Sequence, residues 1–254
     1  MQVGGNSGLV WYKMIEKSRA KEMALFEKQP LVKREIEHFQ NKAKTVKTVD
    51  DLLKDRRVLQ FALSAFQLED QVDSKGIIKK LLTENPDDKK ALVNRLVDPR
   101  YKQFATAFQA LAKGDKPFQS AEFVKTIVSA YKTNEFEKFE GQRNPALREA
   151  LFFKRSVGNL TSISQILANP TLSKVARTAL GLPDQFAALD FDQQKTRLSK
   201  SIDLQKFKDP AQVDKFVQRF LVMSDMKSGG AVNPVLGLFS GGGGGGSGGI
   251  NLLI

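Results

Sequence analysis

Apolar positions along this chain recur at steps of three and four. Val32, Ile36, Phe39, Ala43 and Val46 alternate the two steps and form a narrow seam suited to another helix. Wider stripes follow at Val58, Leu59, Ala62, Ala65 and Phe66, at Phe104, Ala107, Phe108 and Leu111, and at Val213, Phe216, Val217, Phe220 and Leu221. This spacing places one face of each segment against a core and predicts helices. No segment alternates as a half-buried strand would.

The punctuation between stripes points the same way. Asn85-Pro86, Asp98-Pro99, Asn144-Pro145, Asn169-Pro170, Leu182-Pro183 and Asp209-Pro210 read as helix starts, and Gln29-Pro30 fits the same scheme. An Asn or Asp side chain accepts an orphan N–H of the first turn, and proline supplies the helical φ where its missing N–H costs nothing. Thr48 to Asp51 and Ser74 to Ile77 add starts without proline. The expected fold class is all-α, a multi-helix bundle with an extended N-terminal helix. The expected organisation is a flexible leader over 1–8, N-terminal assembly helices over 9–47, an all-α domain over 48–227 and a glycine-rich tether with an apolar terminal peptide over 228–254.

A weak internal repeat runs through the starts. Asp55 is followed by Phe61-Ala62, Asp98 by Phe104-Ala105 and Asn169 by Val175-Ala176, at the same offsets. Asp55 and Asn169 also agree at Ala65-Phe66 and Ala179-Leu180. Two origins fit, a duplicated helical unit or simply recurrent capping.

The two ends read differently from the middle. In the helix expected over Leu9 to Glu27, residues 16–22 hold only Ala20 as apolar material, while Trp11, Tyr12, Ile15, Met23 and Phe26 cluster towards its ends. Such a helix has little to bury in a monomer and reads either as a surface helix or as an assembly helix. At the other end, six consecutive glycines from Gly241 precede Ile250-Asn251-Leu252-Leu253-Ile254. Glycine runs behave as flexible tethers, so the terminal peptide reads as a docking tail or a frayed end. The expected interface residues are therefore Trp11, Tyr12, Ile15, Met23, Phe26, Leu252, Leu253 and Ile254.

Composition then removes most chemistry. The 254 residues include no cysteine and a single histidine, His38. That excludes a disulfide framework, a thiolate nucleophile and a multi-histidine metal site. The acid pairs Asp50-Asp51 and Asp87-Asp88 sit in expected first turns, where they favour the positive end of the helix dipole. The glycines near Ser247 spell a nucleophile-elbow pattern and a dinucleotide pattern without the strand that either needs. No nucleophile, base and orienting group assemble, so the reading is non-enzymatic, with no cofactor, no metal and no small-molecule substrate. The net charge of +12 is interleaved with acids, as in Lys33-Arg34-Glu35, which argues against a nucleic-acid footprint. Neither a membrane span nor a cleaved signal peptide is expected.

One block carries a resemblance. Phe26-Glu27-Lys28-Gln29-Pro30 and Ile36-Glu37-His38-Phe39 lead into Asp51-Leu52-Leu53-Lys54-Asp55-Arg56-Arg57-Val58-Leu59. Ala62-Leu63-Ser64-Ala65-Phe66 and Asn94-Arg95-Leu96-Val97-Asp98-Pro99-Arg100-Tyr101 follow. Over most of residues 8–225 this resembles a family of uncharacterised helical proteins encoded in alphaproteobacterial flagellar gene clusters. The resemblance carries no catalytic residues. It implies a structural component of the bacterial flagellum (rod, hook or filament), exported through the flagellar secretion apparatus without a cleaved signal and assembled through its terminal segments. Its partners would be other flagellar proteins and copies of itself. Two alternatives stand beside it: a cytoplasmic export chaperone or assembly regulator, and a nucleic-acid-binding protein.

Overall fold

The structure, a computed structural model, describes residues 7–228. Among the described residues there are thirteen α-helices and no strand, as the apolar spacing predicts. They are α1 (Gly8–Glu27), α2 (Pro30–Ala43), α3 (Val49–Lys54), α4 (Arg56–Ser64), α5 (Lys75–Thr83), α6 (Leu92–Arg95) and α7 (Pro99–Ala112), followed by α8 (Ala121–Arg143), α9 (Pro145–Ser156), α10 (Ile163–Ala168), α11 (Pro170–Ala179), α12 (Phe191–Ser201) and α13 (Pro210–Lys227).

Most starts are built as the punctuation requires. Asp98, Asn144, Asn169 and Asp209 each accept a first-turn N–H, with proline at the head of the helix. Asp55 accepts from Arg57 and Val58, and Thr48 forms a reciprocal capping box with Asp51. Two expected starts differ. Asn85 turns its side chain onto the Asp87 N–H, a local turn that competes with helix entry, and no helix begins at Pro86. Leu182 has no side-chain acceptor, and Pro183 leads only into the 3-10 turn Asp184–Ala188.

The duplication is visible in the order of elements. Thr48 caps α3 and Asp55 starts α4, while Ser162 caps α10 through a box with Gln165 and Asn169 starts α11, at the same sequence interval. A long helix and a proline-led helix precede each pair: α1 and α2 in one unit, α8 and α9 in the other. Packing repeats as well. α3 lies on α4 and α5 as α10 lies on α11 and α12, and α8 meets α2 as α1 meets α9. Order and contacts repeat from the long helix as far as α5 and α12, and then part: α7 packs on α5 and α6, whereas α13 packs on α9, α11 and α1.

The long helices tie the two units together. One core gathers the end of α2, helices α3 to α7 and the first half of α8, including Ile127, Val128 and Tyr131. The other gathers α1, helices α9 to α13 and Phe136 from the second half of α8. Glycine matters at one crossing: a Cβ on Gly141 would stand 2.9 Å from Cβ of Arg148, so its absence sets the close approach of α8 and α9.

Packing runs across the expected 47/48 boundary. Phe39 and Ala43 of α2 share a core with Val58 and Leu59, and Leu9 of α1 shares one with Val217 and Leu221. Residues 7 and 8, expected in the leader, are part of the start of α1: Ser7 caps it and its hydroxyl donates to Asp225 at 2.9 Å, while Gly8 N donates to the same carboxylate.

Candidate functional site: a basic-rimmed apolar groove

The expected interface residues on α1 are occupied within the chain. Tyr12, Ile15 and Phe26 are buried, and Trp11 and Met23 are half-buried against the same core. The helix buries its ends, where the sequence concentrates its apolar residues, and these burial sites lie within the chain. The apolar ends reach across onto α9 and α13, a surface that local sequence does not reveal. The polar middle is held by charge: Lys154 Nζ binds both Glu16 and Asp214. Tyr12 donates to Asp214 at 2.6 Å, and Arg143 lies 5.1 Å from the centre of the Trp11 ring. What α1 leaves exposed is Met14 and Leu25. Leu252, Leu253 and Ile254 lie outside the described residues.

Two polar constellations come together that spacing did not suggest. Ser64 Oγ donates to Glu135 at 2.6 Å and accepts from Asn134 and from Lys138 at 3.2 Å. A serine beside a lysine resembles a nucleophile–base pair, but Lys138 sits 2.8 Å from Glu69 and 2.6 Å from Glu135. Ser64 itself is buried. The second constellation pairs Glu137 with Arg155 and Gln67. Burial pushes the Glu137 carboxyl above its ordinary range, while Arg155 pulls it back. Both clusters sit midway along α8, where they join the two units.

An open cleft of about 790 Å³ lies elsewhere, between the end of α12, the segment that follows it and α13. Its position follows from local folding. Asp190 starts α12, the chain turns at the buried Ile202, and a 3-10 turn Lys206–Lys208 brings Asp209 round to start α13. Its apolar lining includes Ile163, Leu180, Ile202, Leu204, Phe207 and Phe216. Phe207 meets Phe216 edge-on at 5.1 Å, and Phe216 stacks on Phe153 at 5.3 Å, so that part of the lining is rigid.

Four cations border this lining: Lys200, Lys206, Lys215 and Arg219, all exposed. None of these four has a salt-bridge partner among the described residues, as is so for most lysines and arginines of the chain. The one carboxylate on the rim, Asp203, accepts the backbone N–H of Gln205. Lys215 and Arg219 stand four apart on one face of α13, a like-charge spacing that costs a few tenths of a kcal/mol unless something neutralises it. The cleft therefore combines buried apolar side chains at its base with exposed cations at its border. Sequence reading missed it. The available signal was the like-charge pair, but the basic residues belong to three separate segments.

Among the described residues no group of three or more His, Cys, Asp or Glu side chains could hold a metal, and no helix is long and apolar enough to cross a membrane.

Comparison with known proteins agrees with the fold. No curated protein matches the chain. A crystal structure of an Agrobacterium tumefaciens protein from a structural genomics consortium is similar at 32% identity and a TM-score of 0.78, over 87% of this chain and 94% of that one. Residues 65–213, from the end of the first α4 stripe to the start of α13, match the family model described as a protein of unknown function, DUF1217. With well over half its length inside that model and this relative beside it, the chain belongs to the DUF1217 family.

Proposed function

We propose that the protein is a non-enzymatic structural component of the bacterial flagellum, associated with the rod, hook or filament and working through contacts with other proteins. The flagellar setting rests on the sequence resemblance around Asp51–Leu59 and Ala62–Phe66. The observation that supports a contact role is the open cleft between the end of α12 and α13, bordered by four exposed cations without ion-pair partners among the described residues. The contact surface moves accordingly, away from Tyr12, Ile15 and Phe26 and towards the groove. Export through the flagellar apparatus belongs to the same proposal.

Fractionation tests it. Recovery of the protein in purified hook–basal bodies or filaments is the expected result. Recovery in cytoplasm alone, with none in those structures, overturns the structural role and favours a cytoplasmic chaperone or assembly regulator, for which the same groove would hold a client segment.

A further inference from the structure

We infer that Glu140 of α8 is a proton-operated latch for the second half of α1, Arg19 to Glu27: the neutral carboxyl lets this half close, and ionisation loosens it. The latch is a property of the fold and does not depend on the flagellar setting.

Glu140 stands on the face of α8 that α1 covers. Phe136, Glu140 and Arg143 share that face by helical spacing. On α1, the Phe26 ring meets Phe136 at 5.7 Å, and the Trp11 ring lies 5.1 Å from the Arg143 guanidinium. Between them the Glu140 side chain is 0% exposed. Its Oε2 accepts from Arg143 at 3.2 Å, while Oε1 is buried without a hydrogen-bond partner. That one guanidinium is divided, since it also faces the rings of Trp11 and Phe139. From α1, the charge that acts on Glu140 is another acid, Glu22. Charges that neighbouring elements bring to this part of α8 are engaged elsewhere. Arg19 of α1 pairs with Glu16, Arg155 of α9 with Glu137, Arg148 of α9 with Glu69, and Glu35 of α2 with Arg57 of α4. A buried carboxylate with one shared partner and one orphaned oxygen is costly, whereas the neutral acid sheds the charge and turns an oxygen into a donor. Burial accordingly pushes the Glu140 carboxyl above its ordinary range; Arg143 pulls it back and Glu22 adds to the rise.

α1 is broken where such a latch hinges. Ser18 leaves helical geometry at φ −125° and ψ 21°, and its hydroxyl donates back to the Met14 carbonyl at 2.8 Å, a bond that bends helices. Before the break, Tyr12 and Ile15 are buried and Lys154 ties Glu16 to Asp214. Beyond it only Phe26 is fully buried, and a partly exposed ion pair, Lys132 to Glu27 at 2.8 Å, closes the end. Local opening is easiest where few buried contacts hold a segment. Opening here returns Glu140 to water and uncovers Phe26 together with Phe136 and Phe139. Phe26, expected at an interface, becomes available in this open state. Closure is strongest below the ordinary carboxyl value of 4.5 and weakens as pH rises through the raised folded value. The Lys132–Glu27 pair works with the opposite sign, because acid removes its carboxylate charge.

Amide hydrogen exchange on the full chain tests the latch. Protection of residues 19–27, taken relative to residues 9–15, should fall several-fold from pH 5 to pH 8. The ratio removes the chemical pH dependence of exchange itself. Glu140→Gln keeps size and hydrogen-bonding capacity without a titratable charge, and should abolish the fall. Glu22→Gln takes the opposing acid from a half-buried position and should shrink it. Glu122→Gln, exposed at the far end of α8, should match the parent. Circular dichroism confirms that each variant is folded, and if Glu140→Gln is not, Glu22→Gln carries the test. The latch is overturned if the ratio in the parent does not change with pH, which includes a loss of protection shared equally by both halves of α1. It is also overturned if the fall persists in Glu140→Gln or is undiminished in Glu22→Gln.

Discussion

Glu137 on α8 is fully buried and takes the Arg155 guanidinium of α9 in a two-pronged ion pair, with the second prong at 3.1 Å. Gln67 donates to the same carboxylate at 2.9 Å from a backbone held at φ 58°. The Gln67 carbonyl in turn accepts from Arg100 at 2.6 Å, and Arg100 pairs with Asp98, the cap of α7. One chain of charge therefore runs from α7 through the turn after α4 to α8 and α9, and it crosses between the two units.

Arg155→Met should expose the cost of that buried carboxylate. Breaking a buried pair by removing one partner typically costs 3–5 kcal/mol, and the partly exposed guanidinium reduces this to about 2–3 kcal/mol. The pH dependence has a definite sign. Burial raises the Glu137 value in the folded state, so its stabilising contribution is complete below the ordinary value of 4.5 and is lost as pH rises through the raised one. Removing Arg155 raises it further, so the variant should lose more stability than the parent between pH 5 and pH 8. Urea unfolding at the two pH values checks this. A parallel pH slope in both proteins would refute it.

Docking of α1 should survive mild acid. Burial alone would raise the Asp214 carboxyl, but hydrogen bonds from Tyr12, Gln218 and Lys154 outweigh it and hold the group below its usual value. A lowered carboxylate stabilises the fold above its unfolded value of 3.8, and the contribution is lost as pH falls through the folded value beneath it. Tyr12→Phe should cost about 0.5–1.5 kcal/mol through the lost hydrogen bond and move the acid transition to higher pH. Trp11, the only tryptophan, reports it. An emission profile against pH that is identical in parent and variant would show that Tyr12 plays no part.

Hydrogen exchange should find α1 part of the core. Amides near Tyr12 and Ile15 are expected to be protected in the isolated chain to a degree comparable with those around Leu59, since both sets lie under fully buried side chains. The region around Ser18, where the helical φ and ψ are broken, should exchange faster. Uniformly weak protection across 9–27 would mean that this helix orders only in an assembly.

Gly141→Ala should destabilise, although alanine is the better helix former by about 1 kcal/mol. Its Cβ would lie 2.9 Å from Arg148 Cβ, an atom fixed to the α9 backbone, so α8 and α9 must separate. A net loss of about 1–3 kcal/mol is expected in thermal or urea unfolding. Gly76→Ala, with open space around it, should gain stability and serves as the control.

Much of this was legible along the chain. The apolar periods, the Asn-Pro and Asp-Pro starts and the Thr48 box depend on residues within four positions of one another, so they can be read without the fold. The offsets from Asp55 and Asn169 pointed to a repeated unit, and order and packing repeat as far as α5 and α12.

The sequence alone determined that this chain is helical, where most helices begin, and that cysteine and polyhistidine chemistry are absent. Tertiary structure decided which helix covers which. α1 looked unburied because its partners, Val217 and Leu221 on α13, lie some two hundred residues away, and no local pattern encodes a contact at that distance. The groove escaped for the same reason. Lys200, Lys206, Lys215 and Arg219 read as ordinary solvated charges until the short connector after α12 leaves an apolar floor between them. Whether a cation is paired depends on the carboxylates that other helices bring within about 4 Å, and only the folded chain sets that distance.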